Sequence, residues 1–313
     1  MELVSVLIPT YNRLELVCEA IASVRAQTYP HYEIIVADDG SSDGTVEALR
    51  LEDLQVLSLT HGGQARARNA ALARARGQFI CCLDADDLWE PTYLEKSVRA
   101  LRELDVAFVF ANWLALDQTG KVAPSYFEAH YQWQAFSLSA LPEWRFLWPA
   151  ETRAMYLDSC MSPSSAVMIR RDYLSQWNEL FEIGDDWYLL LEMSVRQECK
   201  CAFTMEPLWR KRVQSDNIYD QRDQLEVSRI LHANDVRKMR NLLQEKLSPQ
   251  EYARLSAHVF YFAIQVVRGQ RGTDLGQMIQ LLVTTLQGLL HSPSQFFWRL
   301  RDLSPRLRQC FPP

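Results

Sequence analysis

The sequence predicts an α/β fold, a Rossmann-like, mainly parallel sheet flanked by helices, with a helical C-terminal extension. Three observations carry it. Strand-like and helix-like apolar patterns alternate four times between Leu3 and Asp87, the signature of a parallel sheet with crossover helices. Polar clusters follow the first, second and fourth strands, at the ends where such sheets collect ligands. Beyond Asn217 the apolar positions recur at heptad-like spacing, with breaks at Pro249 and Gly269 to Gly272. The predicted units are therefore 1–217 and 218–313.

Leu3 to Ile8 reads as a buried strand that stops at Pro9. Leu14, Val17, Ile21 and Val24 then recur at helical spacing, with Asn12 as the N-cap. Glu33 to Ala37 is a second strand opening into DDGSSDG, where Gly40 and Gly44 allow turns. A helix over Thr45 to Leu51, a strand Val56 to Leu59, a turn at Gly62 and Gly63 and a helix from Gln64 to Arg76 lead to the fourth strand, Phe79 to Leu83. Arg66 and Arg68 sit near the start of that last helix, where cations and a helix N-terminus together suit a diphosphate.

The fourth strand delivers Asp84, Asp86 and Asp87 to one strand end. Three carboxylates that close repel, and a divalent cation or a ligand's hydroxyls relieve the repulsion. Hard oxygen ligands suit Mg²⁺ or Mn²⁺. Neither a G-x-G-x-x-G turn nor a G-x-x-x-x-G-K-[ST] loop is present, which removes the main support for a dinucleotide dehydrogenase or a P-loop NTPase.

Bulk properties narrow the class. The chain has 313 residues, 48% of them hydrophobic, enough for a sizeable core. Net charge is −6, divided between +5 over residues 218–313 and −11 over the first 217. An acidic chain argues against nucleic-acid binding. Seven cysteines without framework spacing read as reduced thiols of a cytoplasmic protein, and no signal peptide is expected. Cys81 and Cys82 read as core, and Cys199 and Cys201 lack zinc spacing. No pattern specifies an oligomeric state.

SVLIPTYNR, VADDGSSDGT, ARNAALARARGQFICCLDADD and GDDWYLLLEM, in that order, resemble the nucleotide-sugar glycosyltransferases of family 2, which have the GT-A fold. The resemblance runs from Met1 to about Asn217 and is most specific in the first hundred residues. It implies that Pro9, Thr10 and Tyr11 lie beside the nucleotide base, that Asp39 reads a uracil, and that Arg68 stands near base and diphosphate. Asp84 would meet the ribose and Asp86, in the DXD position, would hold the metal with Asp87 in support. Asp186 would be the general base, with Asp185 in a place more often held by Glu and Trp187 beside them at the substrate. The family often carries a His near Arg212 that completes the metal site. Here Gln214 stands in that place, a weaker ligand for Mn²⁺.

Between the two halves, Val106 to Leu116 reads as a strand, Asp117 to Gly120 as a turn, and Val122 to Glu151 as irregular and aromatic, the usual place of acceptor recognition in such enzymes. Ser165 to Arg170 reads as another strand, and Gly184, Asp185 and Asp186 open a helix. Residues 294–313 interleave Phe296, Phe297 and Trp298 with Arg299, Arg301, Arg306 and Arg308, a composition suited to lie peripherally on an anionic membrane. The expected activity is inverting, metal-assisted transfer from a UDP-sugar to a hydroxyl of a glycan or lipid-linked acceptor. The rivals are a sugar nucleotidyltransferase, which would need a basic glycine-rich N-terminal loop, and a non-catalytic donor-binding protein, for which Gln214 is the only hint.

Overall fold

The structure, a computed structural model, describes residues 1–52, 54–116, 122, 139–212 and 224–258. They divide into two compact units: 1–180 with 185–220, and 181–184 with 221–313.

Among the described residues, the first unit is built on a nine-stranded sheet. Its parallel part holds β1 (Val4–Thr10), β2 (Tyr32–Asp38), β3 (Gln55–Ser58) and β4 (Phe79–Cys82), in the order β3-β2-β1-β4. The crossovers are α1 (Leu14–Arg25), α2 (Thr45–Leu49) and α3 (Gln64–Leu72). β1 is central and reads as a continuous apolar run because both its faces are covered. Val4, Val6, Leu7 and Ile8 are 0% exposed, each stabilising the fold by about 1.5–3 kcal/mol.

β1 does not stop at Pro9; it continues to Thr10, with Pro9 paired to Ala37 and Thr10 to Asp38. Pairing with β4 ends at Leu7 and Cys82, so one side of β1 is already free of a ladder partner where the proline lacks its N–H. Asn12 is not the cap of α1. Its φ is +50°, its N–H donates to Ser41 Oγ (2.7 Å) and its Oδ1 accepts the Ser42 N–H (2.8 Å). Asp43 reaches across instead and accepts the Leu14 N–H (3.1 Å). The loops after β1 and β2 are thereby laced together, with Gly40 and Gly44 at φ +88° and +86° making the turns.

After β5 (Leu88–Trp89) and α4 (Tyr93–Leu104), the sheet continues with β6 (Phe108–Leu116), β7 (Trp144–Leu147), β8 (Val167–Arg170) and β9 (Cys201–Arg212). β8 runs antiparallel between β4 and β6, while β6 and β9 pair in parallel over most of their length. The stretch expected to be irregular contains β7 and the first turn of α5 (Pro149–Asp158). Trp144 is buried in it, while Trp148 is 59% exposed. Tyr126, Phe127, Tyr131, Trp133 and Phe136 lie outside the described residues. α6 (Asp185–Arg196) is buried on almost every side, which explains its lack of a simple apolar stripe. Cys81, Cys82, Cys199 and Cys201 are all buried and free.

In the second unit, α7 (Gln224–Ser228) passes into a π turn (Arg229–Asp235) and then α8 (Val236–Leu243), and residues 249–258 are again helical. The heptad-like stretch Leu225 to Lys246 is thus interrupted by a π turn. No helix among the described residues is long and apolar enough to cross a membrane.

Candidate active site

The carboxyl ends of β1, β2 and β4 lie side by side, as the register and the Asp39 N–H to Thr10 carbonyl bond (2.9 Å) require. The start of α6 meets them there through Arg68 on α3. The Arg68 side chain is 1% exposed. One nitrogen, Nη1, donates to Asp185 Oδ2 (2.6 Å) and Asp186 Oδ1 (3.1 Å), and Nη2 donates to Asp84 Oδ1 (2.8 Å). Burial disfavours the guanidinium charge, but Asp186, Asp185 and Asp84 together raise its pKa well above the ordinary value. Arg68 is therefore the counter-charge of an acid cluster, where the resemblance implies a contact with base and diphosphate.

The two acids at the start of α6 differ. Asp185 is 0% exposed and accepts a further bond from Gln64 Nε2 (3.0 Å). Burial pushes its pKa up to about 7, against the pull of Arg68 and with help from the charges of Asp186 and Asp84. Asp186 keeps 20% of its side chain exposed. Its Oδ1 accepts Ser164 Oγ (2.5 Å) and Trp177 Nε1 (3.2 Å), and its Oδ2 accepts the Ser164 N–H (3.2 Å). A carboxylate so oriented and open on one side can take a proton from a bound hydroxyl. Trp187 packs in the core at 3% exposure, Nε1 donating to the Tyr156 carbonyl (2.6 Å). It anchors α6, contrary to the expected place at the substrate.

At the acidic strand end, Asp86 pairs with Arg13. Burial and the charge of Asp84 raise the Asp86 pKa, and Arg13 opposes them. Asp87 is buried, accepts Ser165 Oγ (2.6 Å) and the Arg212 N–H (3.3 Å), and has its pKa raised by burial, Asp86 and Asp84. Among the described residues no group of three or more His, Cys, Asp or Glu side chains is arranged to hold a metal ion. The donor set still fits Mg²⁺ or Mn²⁺, since Mg²⁺ sites often use one or two carboxylates and complete the shell with water and substrate phosphates. Gln214 lies outside the described residues.

On the β1–β2 side, Asp39 accepts the Gly62 N–H (2.9 Å) on Oδ1 and the Gly63 N–H (2.7 Å) on Oδ2, with His61 Nδ1 at 2.9 Å. Tyr11 stacks on His61, ring centroids 4.2 Å apart. Pro9 is buried within β1. Thr10 Oγ1 and Asp38 Oδ2, on paired residues, are buried without a hydrogen-bond partner. Arg66 turns back on Thr60. Ser164, Trp177, Gln64, Arg13 and His61 all join these clusters and were not singled out by sequence; of them Arg13 alone lies inside one of the motifs that carry the resemblance, SVLIPTYNR.

The sequence profile of "Glycosyl transferase family 2" matches residues 5–177. The chain belongs to that family. Among curated members, it is 30% identical over 196 residues to the "UDP-Glc:alpha-D-GlcNAc-diphosphoundecaprenol beta-1,3-glucosyltransferase WfgD" of Escherichia coli, which covers 61% of this chain and 69% of WfgD. With WfaP of Escherichia coli, a protein of the same described activity, it shares 34% identity over 117 residues, 36% of this chain and 47% of WfaP. The match thus spans about half the length of such a relative. Among solved structures, S. aureus TarS 1–349 superposes with a TM-score of 0.63 at 18% identity, covering 95% of this chain and 82% of TarS. The same TarS fragment in complex with UDP-GlcNAc gives 0.61 at 17% identity, covering 95% and 83%. This family 2 chain therefore has the GT-A fold, with a central sheet flanked by helices.

Proposed function

We propose that this family 2 chain is an inverting glycosyltransferase that moves a sugar from a nucleoside-diphosphate sugar, specifically a UDP-sugar, to a hydroxyl of a glycan or lipid-linked saccharide. The observation that carries the reading is the inequality of the two acids at the start of α6: Asp185 sealed beneath Arg68, Asp186 held by Ser164 and Trp177 with one side open. The name of WfgD, which gives a UDP-linked donor and a diphosphoundecaprenol-linked acceptor, supports the choice of substrate classes.

In this reading Asp186 draws the proton from the acceptor hydroxyl as its oxygen attacks the anomeric carbon from the face opposite the diphosphate. The new glycosidic bond forms while the bond to the diphosphate breaks, and UDP leaves with inversion. A positioned base of this kind contributes about 10²- to 10⁴-fold to the rate. Arg68 keeps Asp84 and the α6 acids together against their mutual repulsion. Thr10, Tyr11 and Asp39 face the nucleotide base, and Asp84 the ribose. Asp86, with Asp87 in support and Gln214, would hold Mg²⁺ or Mn²⁺, whose charge would offset that of the departing diphosphate. The arginines of residues 294–313 would bring the chain to an anionic membrane surface on the cytoplasmic side, where lipid-linked acceptors are reached.

The test is UDP release from UDP-glucose, UDP-galactose and UDP-GlcNAc, each with GlcNAc-diphosphoundecaprenol and Mg²⁺ or Mn²⁺. Acceptor-dependent release of UDP with a β-linked product supports the reading. Binding of UDP-sugars without any turnover, or a product of retained configuration, contradicts it.

A further inference from the structure

Residues Phe181–Gly184 group with the helical unit although they interrupt the sheet-containing one. A single carboxylate holds them there. Asp235, 0% exposed, closes the π turn between α7 and α8. Its Oδ2 accepts the backbone N–H groups of Glu182 (3.3 Å), Ile183 (3.0 Å) and Gly184 (3.0 Å). Its Oδ1 accepts Lys238 Nζ (3.2 Å), and that ammonium stands 5.9 Å from the Phe181 ring centroid. A buried carboxylate destabilises the fold unless it is paired and hydrogen-bonded. Three converging amides and an ammonium satisfy this one, in the manner of an anion nest.

The grip is also tight sterically. A Cβ added at Gly184 would stand 2.6 Å from Met239 Cε and 3.3 Å from both Asp235 Cβ and Leu231 Cδ1, so glycine lets the backbone come this close. All of these contacts lie within the helical unit. The peptide bond after Gly184 then leads directly to Asp185 and Asp186, the first residues of α6. The Gly184 N–H is bonded to Asp235, and the side chain of the next residue, Asp185, is bonded to Arg68. π turns are rare and recur at functional sites, and here one ends on the gripping residue.

We propose that Asp235 is a positioning residue for glycosyl transfer: by holding the amides of residues 182–184 it fixes where α6 begins, and so where Asp186 stands. This rests on the reading of Asp186 as the base. It gives residues 224–243 a part in the reaction, beyond completing a helical extension. A misplacement of about 1 Å in a reacting group costs on the order of 10²-fold in rate, so a loosened clamp shows in turnover before it shows in donor binding.

The experiment uses the full chain carrying Asp235→Ala, Asp235→Asn or Gly184→Ala. It compares amide exchange at residues 182–187, UDP affinity, and kcat for UDP release from the UDP-sugar selected by the donor panel. Asp235→Ala is expected to speed exchange at 182–184 and to lower kcat by at least about tenfold, within the range a misplaced group costs, with UDP affinity unchanged. Asp235→Asn, which keeps an acceptor oxygen, recovers most of the rate. If Asp235→Ala fails to fold, Gly184→Ala, which presses on Met239 instead, is expected to give the same separation of kcat from UDP affinity. Wild-type kcat despite faster exchange makes Asp235 a brace only and overturns the proposal, as does a parallel loss of UDP affinity. An active Asp186→Asn would sink the base assignment by itself, while a slow Asp235→Ala would still stand for the clamp.

Discussion

Ser164 holds Asp186 by two bonds, from its backbone N–H to Oδ2 (3.2 Å) and from its Oγ to Oδ1 (2.5 Å). Both donors fix the plane of the carboxylate. Ser164→Ala removes the Oγ donor and keeps the backbone one, so Asp186 stays in place but is less firmly oriented toward the acceptor hydroxyl. kcat should fall by roughly tenfold, less than the loss of about 10²- to 10⁴-fold when a positioned base is removed, because the base itself remains. Steady-state kinetics of the variant beside Asp186→Asn check this; a wild-type kcat contradicts it.

Arg68 neutralises Asp84, Asp185 and Asp186 from within the core. Removing one partner of a buried ion pair leaves uncompensated charge at a cost of about 3–5 kcal/mol. Arg68→Met should therefore lose stability on that scale in urea unfolding at pH 7.5. Arg68→Lys should recover only part of it, because an ammonium cannot reproduce the guanidinium fork.

Asp185 gives the fold a pH dependence of known sign. Its folded pKa of about 7 lies above the ordinary carboxylate value of 3.8, so the folded state binds the proton more tightly than the unfolded one. The stabilisation is complete below the unfolded value and is lost as pH rises through the window up to about 7. Asp185→Asn abolishes that titration. The melting temperature of the variant relative to wild type should accordingly rise between pH 5 and pH 8, read by calorimetry at fixed ionic strength; a difference independent of pH would refute the burial argument.

Asp86 faces Asp84 with Arg13 as its counter-charge. UDP should bind more tightly with Mn²⁺ than with EDTA, and Asp86→Ala should abolish the difference in calorimetric titrations. Equal affinity in both buffers for the wild-type protein would remove the metal from the account.

The first four strands and their crossovers were legible because a buried parallel sheet writes itself as short apolar runs, and the polar residues that end them fall at one edge by topology alone. What escaped was long-range. Ser164 and Trp177 meet Asp186 from loops that carry no spacing signal, and their role exists only once β8 lies against β4. Asn12 sits where an N-cap belongs, yet its side chain joins two loops, a choice local propensity does not distinguish. Trp187 follows the acid pair in sequence, but successive residues on a helix point apart, and this one points inward. The π turn ending at Asp235 broke a heptad-like pattern that gave no warning of it.

The transfer rate of Asp186→Asn, measured beside Asp185→Asn with UDP affinity and melting temperature recorded for both, tests the central claim most directly. The substitution keeps the size of the side chain and removes the base. Transfer by Asp186→Asn should fall by at least about 10²-fold, with UDP affinity and melting temperature near wild type, while Asp185→Asn is milder. Near wild-type transfer by Asp186→Asn, or a dead Asp185→Asn beside an active Asp186→Asn, would contradict the assignment of the base.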